Sequence, residues 1–189
     1  MNQREQQKLD TRRRIYECAI GLFREKTYDT VKITDIVEAA QVSVGAFYYH
    51  FQSKENLIDE GYRRFDDELK KGWETDKPEP GVETIEYLIL RQLNDVVHKG
   101  VEVTEIFFKN QLGNTNTYLF EKDRFLYKKM CENVELVNHS EVSNVEIVDR
   151  ILRVSRGTIY DWCLHNGKFD VKKVGIEEVR IQLEHYGII

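Results

Sequence analysis

A very short helix crowded with aromatic side chains is the feature that most constrains the fold of this 189-residue chain. Residues 42–57, VSVGAFYYHFQSKENL, predict a short helix that Ser43 caps and that ends near Tyr49, followed almost at once by a second helix. Isolated helices of fewer than roughly 12–15 residues are marginal in water. Neighbouring elements must therefore clamp the short helix, and its outer face is available for work other than core building.

A helical wheel separates the two faces of this short helix. Phe47 and Phe51 point inward, whereas Gly45 and Tyr49 lie nearly opposite Phe47. Glycine near a helix start costs up to about 1 kcal/mol relative to alanine. Its missing side chain makes sense if another backbone, such as a phosphate strand, must come close. The arrangement suits the reading helix of a helix-turn-helix protein.

Composition and charge agree with an ordered, helical chain that has a mild charge asymmetry. The sequence is 41% hydrophobic with two prolines, and apolar residues recur at three- and four-residue steps. Residues 1–54 carry nine Lys or Arg and seven Asp or Glu, a net charge of +2; residues 55–189 carry nineteen and twenty-six, a net charge of −7. The balance permits DNA binding without demonstrating it.

Several classes of protein are disfavoured by what the sequence lacks. No apolar run approaches the roughly 18 residues that span a bilayer, and the polar start differs from a secretion signal. Cys18, Cys131 and Cys163 are scattered and form neither a disulfide set nor a metal-ligand cluster. The histidines are dispersed too, and no Gly-rich phosphate loop appears. We expect a cytoplasmic protein without a membrane association, a metal or a cofactor.

The apolar periodicity predicts about nine helices. Asp10 or Thr11 is expected to cap the first and Ser53 the fourth, and Asp66 is expected to pair with Lys70 on the surface. The predicted helices cover residues 10–26, 33–40, 43–49, 53–72, 85–100, 103–112, 118–137, 144–166 and 171–187.

The segment from residue 11 to about residue 69 resembles the TetR family of bacterial transcriptional regulators. The residues that carry the resemblance are Arg14-Ile15, Leu22-Phe23, Asp35-Ile36-Val37, Ala39-Ala40 and Val42-Ser43-x-Gly45-x-x-Tyr48-x-His50-Phe51-x-x-Lys54-x-x-Leu57. The resemblance implies an all-α fold with an N-terminal three-helix helix-turn-helix DNA-binding domain, residues 1–52. It also implies a helical effector-binding and dimerisation domain, residues 53–189.

Carrying roles over by position gives a predicted DNA-contacting set. Its members are Ser43, Val44, Gly45, Ala46, Tyr48, Tyr49, His50 and Lys54, with Thr34 at the start of the second helix as a phosphate contact. The tyrosine hydroxyls and the imidazole can donate to phosphate oxygens, and Lys54 with the amides of the fourth helix forms an anion site. The alternative for the Tyr-Tyr-His cluster is an aromatic corner between helices.

Three features of this region leave alternatives open. Gln41 occupies the turn position where the family usually has glycine, so either the turn tolerates strain or its geometry shifts. Val44 and Ala46 stand where polar or basic residues are common in the family. They could contact thymine methyl groups, although Val44 also leans toward the Phe47 side of the helix and is a candidate core residue. The run from Arg12 to Arg14 is equally compatible with a basic arm on DNA and with a solvated surface.

The remainder of the chain points less directly to a site. Aromatic residues are candidates for lining an effector cavity, although at helical spacing such residues are usually core. The candidates are Phe107, Phe108, Phe120, Phe125, Tyr127, Tyr160 and Trp162. The resemblance implies a ligand-binding domain without locating its pocket.

The sequence therefore predicts a ligand-responsive transcriptional regulator that is not an enzyme. We expect a repressor that binds a palindromic double-stranded DNA operator as a homodimer and that a small-molecule effector releases. An activator of the same fold is the main alternative, separated from a repressor by where its operator lies relative to the promoter. A non-DNA-binding scaffold would not need Gly45 or the Ser43 and Ser53 caps around so short a helix, and an enzyme would need a catalytic constellation that the sequence does not offer.

Overall fold

The computed structural model describes residues 2–76, 78–113 and 118–189, and within them the chain folds into nine α-helices and one 3₁₀ turn without a β-strand. The helices are α1 (Gln3–Glu25), α2 (Ile33–Ala39), α3 (Val44–His50), α4 (Asn56–Asp76), α5 (Val82–Lys99), α6 (Val101–Gly113), α7 (Phe125–Val137), α8 (Asn144–Leu164) and α9 (Val171–His185), and the 3₁₀ turn is Tyr118–Phe120. The predicted all-α fold is confirmed.

Two predicted N-caps were wrong. Helix α1 begins seven residues before Asp10, because Asn2 accepts hydrogen bonds from the amides of Arg4 and Glu5 and the Asn2 N–H donates one to the Glu5 carboxylate. This capping box starts a helix without an apolar stripe, which periodicity alone does not reveal. Helix α4 begins at Asn56, so Ser53 lies in the preceding turn and is not its N-cap.

The predicted helix over residues 118–137 is interrupted, and the predicted Asp66–Lys70 surface pair was wrong for a related reason. Arg124, the residue before α7, turns into the interior and forms a buried ion pair with Asp66 of α4. Their closest nitrogen and oxygen atoms are 2.8 Å apart, and each side chain is at most 5% exposed. The segment from the 3₁₀ turn to α7 therefore follows this pair instead of a continuous helix.

The buried side chains form two hydrophobic cores. The first joins α1, α2, α3 and the start of α4, and it also contains Val103, Ile106 and Phe107 of α6. The second joins the later part of α4 with α5, α7, α8 and α9. Helices α4 and α6 thus belong to the contact zone between the N-terminal helices and the rest of the chain. The domain boundary near residue 52 stays a prediction.

Candidate nucleic-acid interface and interior cavity

Helix α3 is clamped from its inner side, as its seven-residue length requires. Phe47 is fully buried and Phe51 is 2% exposed, both within the first core. The Ser43 hydroxyl accepts a hydrogen bond from the Ala46 amide at 3.1 Å and so caps the helix. The inward direction predicted for the two phenylalanines is confirmed, and so is the capping serine.

The outer face of α3 is open to solvent. Val44 is 46% exposed, Tyr48 52% and Tyr49 67%, and Ser43 and Gly45 are also exposed. These fractions exclude the core position considered for Val44 and the buried aromatic corner considered for the tyrosines. Ala46 is half-buried, and Thr34 on α2 is exposed. Large exposed side chains on a helix this short are available to an external partner.

A side chain at Gly45 of α3 would not clash with any neighbouring residue that the structure describes. A Cβ atom built at Gly45 would have Ser43 Oγ, 3.8 Å away, as its nearest neighbour, which is ordinary van der Waals contact. Packing among the described residues therefore does not explain why a side chain is missing there. Close approach of a molecule from outside the chain remains the physical explanation that the surface suggests.

The turn between α2 and α3 tolerates a strained residue. Gln41 adopts a left-handed conformation with φ of 51°. Its amide donates to the Glu38 carbonyl at 3.1 Å, and the Val42 amide donates to the Val37 carbonyl at 3.0 Å. Of the two alternatives for this position, the structure contains the first: the turn keeps a left-handed geometry although glycine is absent.

Arg12 connects the end of α3 to α4. Its guanidinium donates to the His50 carbonyl at 2.7 Å and to the Glu60 carboxylate at 2.6 Å, and it lies 4.5 Å from the centre of the Phe51 ring. Burial, reinforced by the positive charges of Arg12 and Lys8, lowers the pKa of the half-buried His50 imidazole. Arg12 is therefore part of the domain's internal structure, whereas Arg13 and Arg14 are exposed.

Lys54 also has an internal role that sequence reasoning missed. Its ammonium donates to the carbonyls of Tyr28 at 2.6 Å and Val31 at 3.0 Å, and it lies 4.1 Å from the centre of the Tyr28 ring. The side chain is half-buried and precedes α4 instead of lying in its first turn. Two of its three N–H groups are thus engaged with the α1–α2 connection, so the predicted anion site is altered, while a DNA contact stays a prediction.

A small interior cavity of about 60 Å³ lies among α4, α5, α6 and α8, beside the 3₁₀ turn. Phe65, Phe107 and Phe108 contribute to its apolar wall, and Arg124 and Arg156 to its polar wall. Ligand pockets usually have volumes of about 300–1,000 Å³. The cavity is thus smaller than a typical ligand site in this conformation.

Comparison with known proteins places this geometry in a family. The model of the family described as bacterial regulatory proteins, tetR family, matches residues 15–60, which include α2 and α3. The HTH-type transcriptional repressor KstR2 of Rhodococcus jostii (strain RHA1) is 28% identical over 183 residues, covering 92% of this chain and 89% of that protein. Over residues 15–60 the chain is thus similar to the TetR family of bacterial regulators.

Further similarities extend over nearly the whole chain. The HTH-type transcriptional regulator AcrR of Shigella flexneri is 24% identical over 196 residues, covering 96% of this chain and 91% of that protein. The crystal structure of Thermus thermophilus FadR, a TetR family transcriptional repressor in complex with lauroyl-CoA, has the same fold, with a TM-score of 0.67 at 18% identity, covering 92% of this chain and 93% of that one. The chain is a DNA-binding transcriptional regulator.

Two further expectations concern activity and membranes. The matched proteins are regulators of transcription and not enzymes, which confirms the prediction that this chain is not an enzyme. Across the ranges 2–76, 78–113 and 118–189, no helix combines the length and hydropathy needed to cross a bilayer.

Only two of the seven aromatic residues predicted for an effector site line the cavity, namely Phe107 and Phe108. Phe120 is 57% exposed and Trp162 is buried in the second core. The other three residues have different partners: the Phe125 ring lies 5.8 Å from that of Trp73, the Tyr127 hydroxyl donates to Asp149 at 2.9 Å, and the half-exposed Tyr160 ring lies 5.7 Å from that of Phe108. These five do not line this cavity, because helical periodicity directs aromatic residues into cores as well as pockets, and their effector role stays a prediction.

Sequence reasoning missed the polar side of the cavity. Arg124 and Arg156 line it, and Tyr62 of α4 contributes its hydroxyl through a hydrogen bond with Gln111 of α6. A signal was present in α4, where Asp66 falls beside Phe65 and Leu69 on the apolar stripe. A carboxylate in such a stripe requires a buried partner, but the sequence does not name Arg124 as that partner.

Proposed function

We propose that this regulator is a repressor that binds a palindromic operator as a homodimer and that a small-molecule effector releases from DNA. The observation that carries the proposal is the contrast within α3 between a fully buried Phe47 and a 67% exposed Tyr49. A rigidly held inner face fixes the orientation of the exposed face, which is what insertion into the major groove requires. Several matched relatives are named as repressors, KstR2 among them.

The proposed contacts divide into positioning and reading groups. Thr34, Ser43, Tyr49 and His50 offer hydroxyl or imidazole groups to phosphate oxygens, as Tyr48 does from the same helix. Val44 and Ala46 offer methyl groups, which suit thymine in the major groove but cannot hydrogen-bond to base edges. Most of the affinity should then come from phosphate contacts, and DNA binding should weaken steeply with salt.

A homodimer through α8 and α9 would supply the symmetry of the proposed operator. These helices pack together within the chain, and their outer sides expose Tyr160 (50%), Leu164 (62%) and Ile181 (53%). A twofold axis would place two copies of α3 about 34–36 Å apart, one turn of duplex DNA. Such a dimer would bind a roughly palindromic site.

Helices α4 and α6 give the cavity a physical route to the DNA-binding helices. Phe107 of α6 lines the cavity and also belongs to the first core, where its ring packs directly against Gly61 of α4. Near the same position, Glu60 of α4 holds Arg12, which holds the end of α3 at the His50 carbonyl. An effector that displaces Phe107 would therefore shift α4, and its influence is limited by its difference in affinity between the two conformations.

Selection from a random duplex library with the immobilised full chain tests the DNA-binding proposal directly. We expect a roughly palindromic consensus, and we expect Tyr49→Ala to weaken binding to it. The matched control is Leu136→Ala on α7, because Leu136 is 60% exposed and lies outside both α3 and the cavity. Recovery of no preferred duplex, or equal weakening by both substitutions, would contradict the assignment of α3. Mapping the site upstream of the gene itself would separate repression from activation.

A further inference from the structure

The interior cavity has one arginine whose charge is not compensated. Arg156 of α8 lines the cavity and is half-buried, yet it makes no ion pair or hydrogen bond with any residue that the structure describes. Its guanidinium carbon lies 5.6 Å from the centre of the Phe120 ring. Burial lowers its pKa, and the nearby positive charges of Arg153 and Arg124 lower it further, against the opposing charge of the Asp149 carboxylate. A desolvated cation among like charges is unfavourable in the absence of an anion.

The other charged groups of the cavity are already paired. Arg124 makes two hydrogen bonds to the Asp66 carboxylate, at 2.8 and 3.2 Å, and Lys99 forms an ion pair with Asp95. The carboxylate of Asp149, which attracts Arg156, accepts a hydrogen bond from the Tyr127 hydroxyl at 2.9 Å and lies 4.0 Å from the Lys122 ammonium. The described wall therefore has a net positive charge, and Arg156 supplies it.

The rest of the wall suits an apolar body. Phe65, Phe107 and Phe108 face the cavity together with Val96, Leu119 and Ile159. We propose that the effector is an amphipathic anion whose carboxylate or phosphate pairs with Arg156 while its apolar body packs against Phe107 and Phe108. This inference rests on the proposed ligand response and adds the chemical class of the ligand. The guanidinium fork matches two oxygen atoms of either group, which makes the pair directional as well as attractive.

Binding requires the cavity to grow, because about 60 Å³ does not hold such a molecule. The wall can open at two places. One is the hydrogen bond between Tyr62 of α4 and Gln111 of α6, and the other is Leu119 of the 3₁₀ turn, which lines the cavity from outside these helices. Breaking the Tyr62–Gln111 hydrogen bond separates α4 from α6. Anion binding is thereby linked to the two helices that reach the first core.

The test compares ligands that share one apolar body and differ in the head group. Titration calorimetry of the full chain uses decanoate, decyl phosphate, decanamide and decyltrimethylammonium, and repeats the carboxylate–amide comparison with 4-phenylbutyrate and 4-phenylbutanamide. We expect the anions to bind at least about tenfold more tightly than the neutral amides, because charge-assisted hydrogen bonds are roughly twice as strong as neutral ones. Decanoate against decyl phosphate separates a carboxylate ligand from a phosphate ligand.

Two variants assign the preference to its residue. Arg156→Gln should abolish the preference for anions, whereas Arg153→Gln, which removes the same charge from an exposed position on the same helix, should retain it. In the ligand-free state Arg156→Gln should unfold at an equal or higher urea concentration than the wild type, which separates loss of binding from loss of folding. Equal binding of amides and anions, a preference that survives in Arg156→Gln, or binding of no anion would overturn the inference.

A second readout keeps this inference distinct from the proposed function. The same ligands are added to the complex of the chain with its selected duplex, and fluorescence anisotropy reports release of DNA. Anions that bind through Arg156 without releasing DNA would contradict the effector response while leaving the anion site intact. Neutral ligands that release DNA as well as the anions do would contradict the anion site while leaving the effector response intact.

Discussion

Removing either member of the buried ion pair between Asp66 of α4 and Arg124, the residue before α7, should destabilise the chain far more than removing an exposed ion pair. The Asp66 carboxylate accepts two hydrogen bonds from Arg124, at 2.8 and 3.2 Å, and a third from the Tyr118 hydroxyl at 2.8 Å. The side chains of Asp66 and Arg124 are 4% and 5% exposed. Water is therefore unable to replace a lost partner.

The expected magnitude follows from that burial. Asp66→Asn preserves the shape of the side chain but leaves the Arg124 guanidinium in the interior without a counter-charge, which should lower the free energy of unfolding by about 3–5 kcal/mol. Arg124→Met should have a similar effect because it strands the carboxylate. The double variant Asp66→Leu with Arg124→Met replaces both charges by apolar groups, so it should lose much less stability than the sum of the single changes.

Urea unfolding followed by circular dichroism, at one fixed protein concentration, measures these differences. The matched control is Glu121→Gln, which removes an exposed pair between Arg63 of α4 and the same connecting segment, with a separation of 3.5 Å and side chains 48% and 45% exposed. Exposed pairs contribute about 0–1 kcal/mol. If Asp66→Asn destabilises the chain no more than Glu121→Gln does, the buried pair does not stabilise the connection between α4 and α7.

Three further predictions concern the DNA-binding helices. A Cβ added at Gly61 would lie 2.5 Å from Phe107 Cζ, so Gly61→Ala should destabilise the chain by about 1–3 kcal/mol and change operator affinity. The control is Gly21→Ala on α1, whose added Cβ meets no atom within 4 Å, so this substitution should raise the urea midpoint slightly. Lys54→Met should cost about 1 kcal/mol of folding stability through the lost hydrogen bonds to two carbonyls. If Lys54 also contacts a phosphate, the substitution should reduce the slope of log affinity against log salt concentration by about 0.9. An unchanged slope would limit Lys54 to its structural role. Because burial lowers the pKa of His50, the unfolded state binds the proton more tightly, so stability should fall as the pH drops below about 6.5. His50→Gln should flatten that dependence in urea titrations at pH 7.5 and 5.5. An equal loss of stability between these pH values in the variant and the wild type would remove His50 as the cause.

The parts of the fold that depend on local pattern could be predicted from the sequence. The Phe47 and Phe51 positions follow from the helical period, and the Ser43 cap follows from the chemistry of a helix start. The end of α8 at Asn166 and Gly167 likewise follows, since both residues adopt positive φ, 50° and 71°. Each of these predictions needed only residues within one or two turns of each other.

The parts that depend on distant partners could not be predicted in this way. Lys54 contacts the carbonyls of Tyr28 and Val31, 26 and 23 residues away, and Asp66 meets Arg124 across 58 residues. Backbone carbonyls leave no trace in composition, and a charged residue in an apolar stripe shows only that a partner exists. The cavity was equally hidden, because its position depends on how α4, α5, α6 and α8 converge.

The two cores give the proposed effector cavity a physical connection to the proposed DNA-contacting helix without a dedicated linker. Phe107 contributes to the cavity wall and to the first core at once, and the tight contact with Gly61 leaves its ring little freedom to move without α4. Packed interiors respond to such displacement by changing between discrete arrangements, because they are dense and only slightly compressible. Arg12 then transmits any movement of Glu60 to the last carbonyl of α3 through two hydrogen bonds shorter than 2.8 Å. Because α3 is too short to be stable alone, a ligand that moves Arg12 and the residues packed against α3 would also move α3.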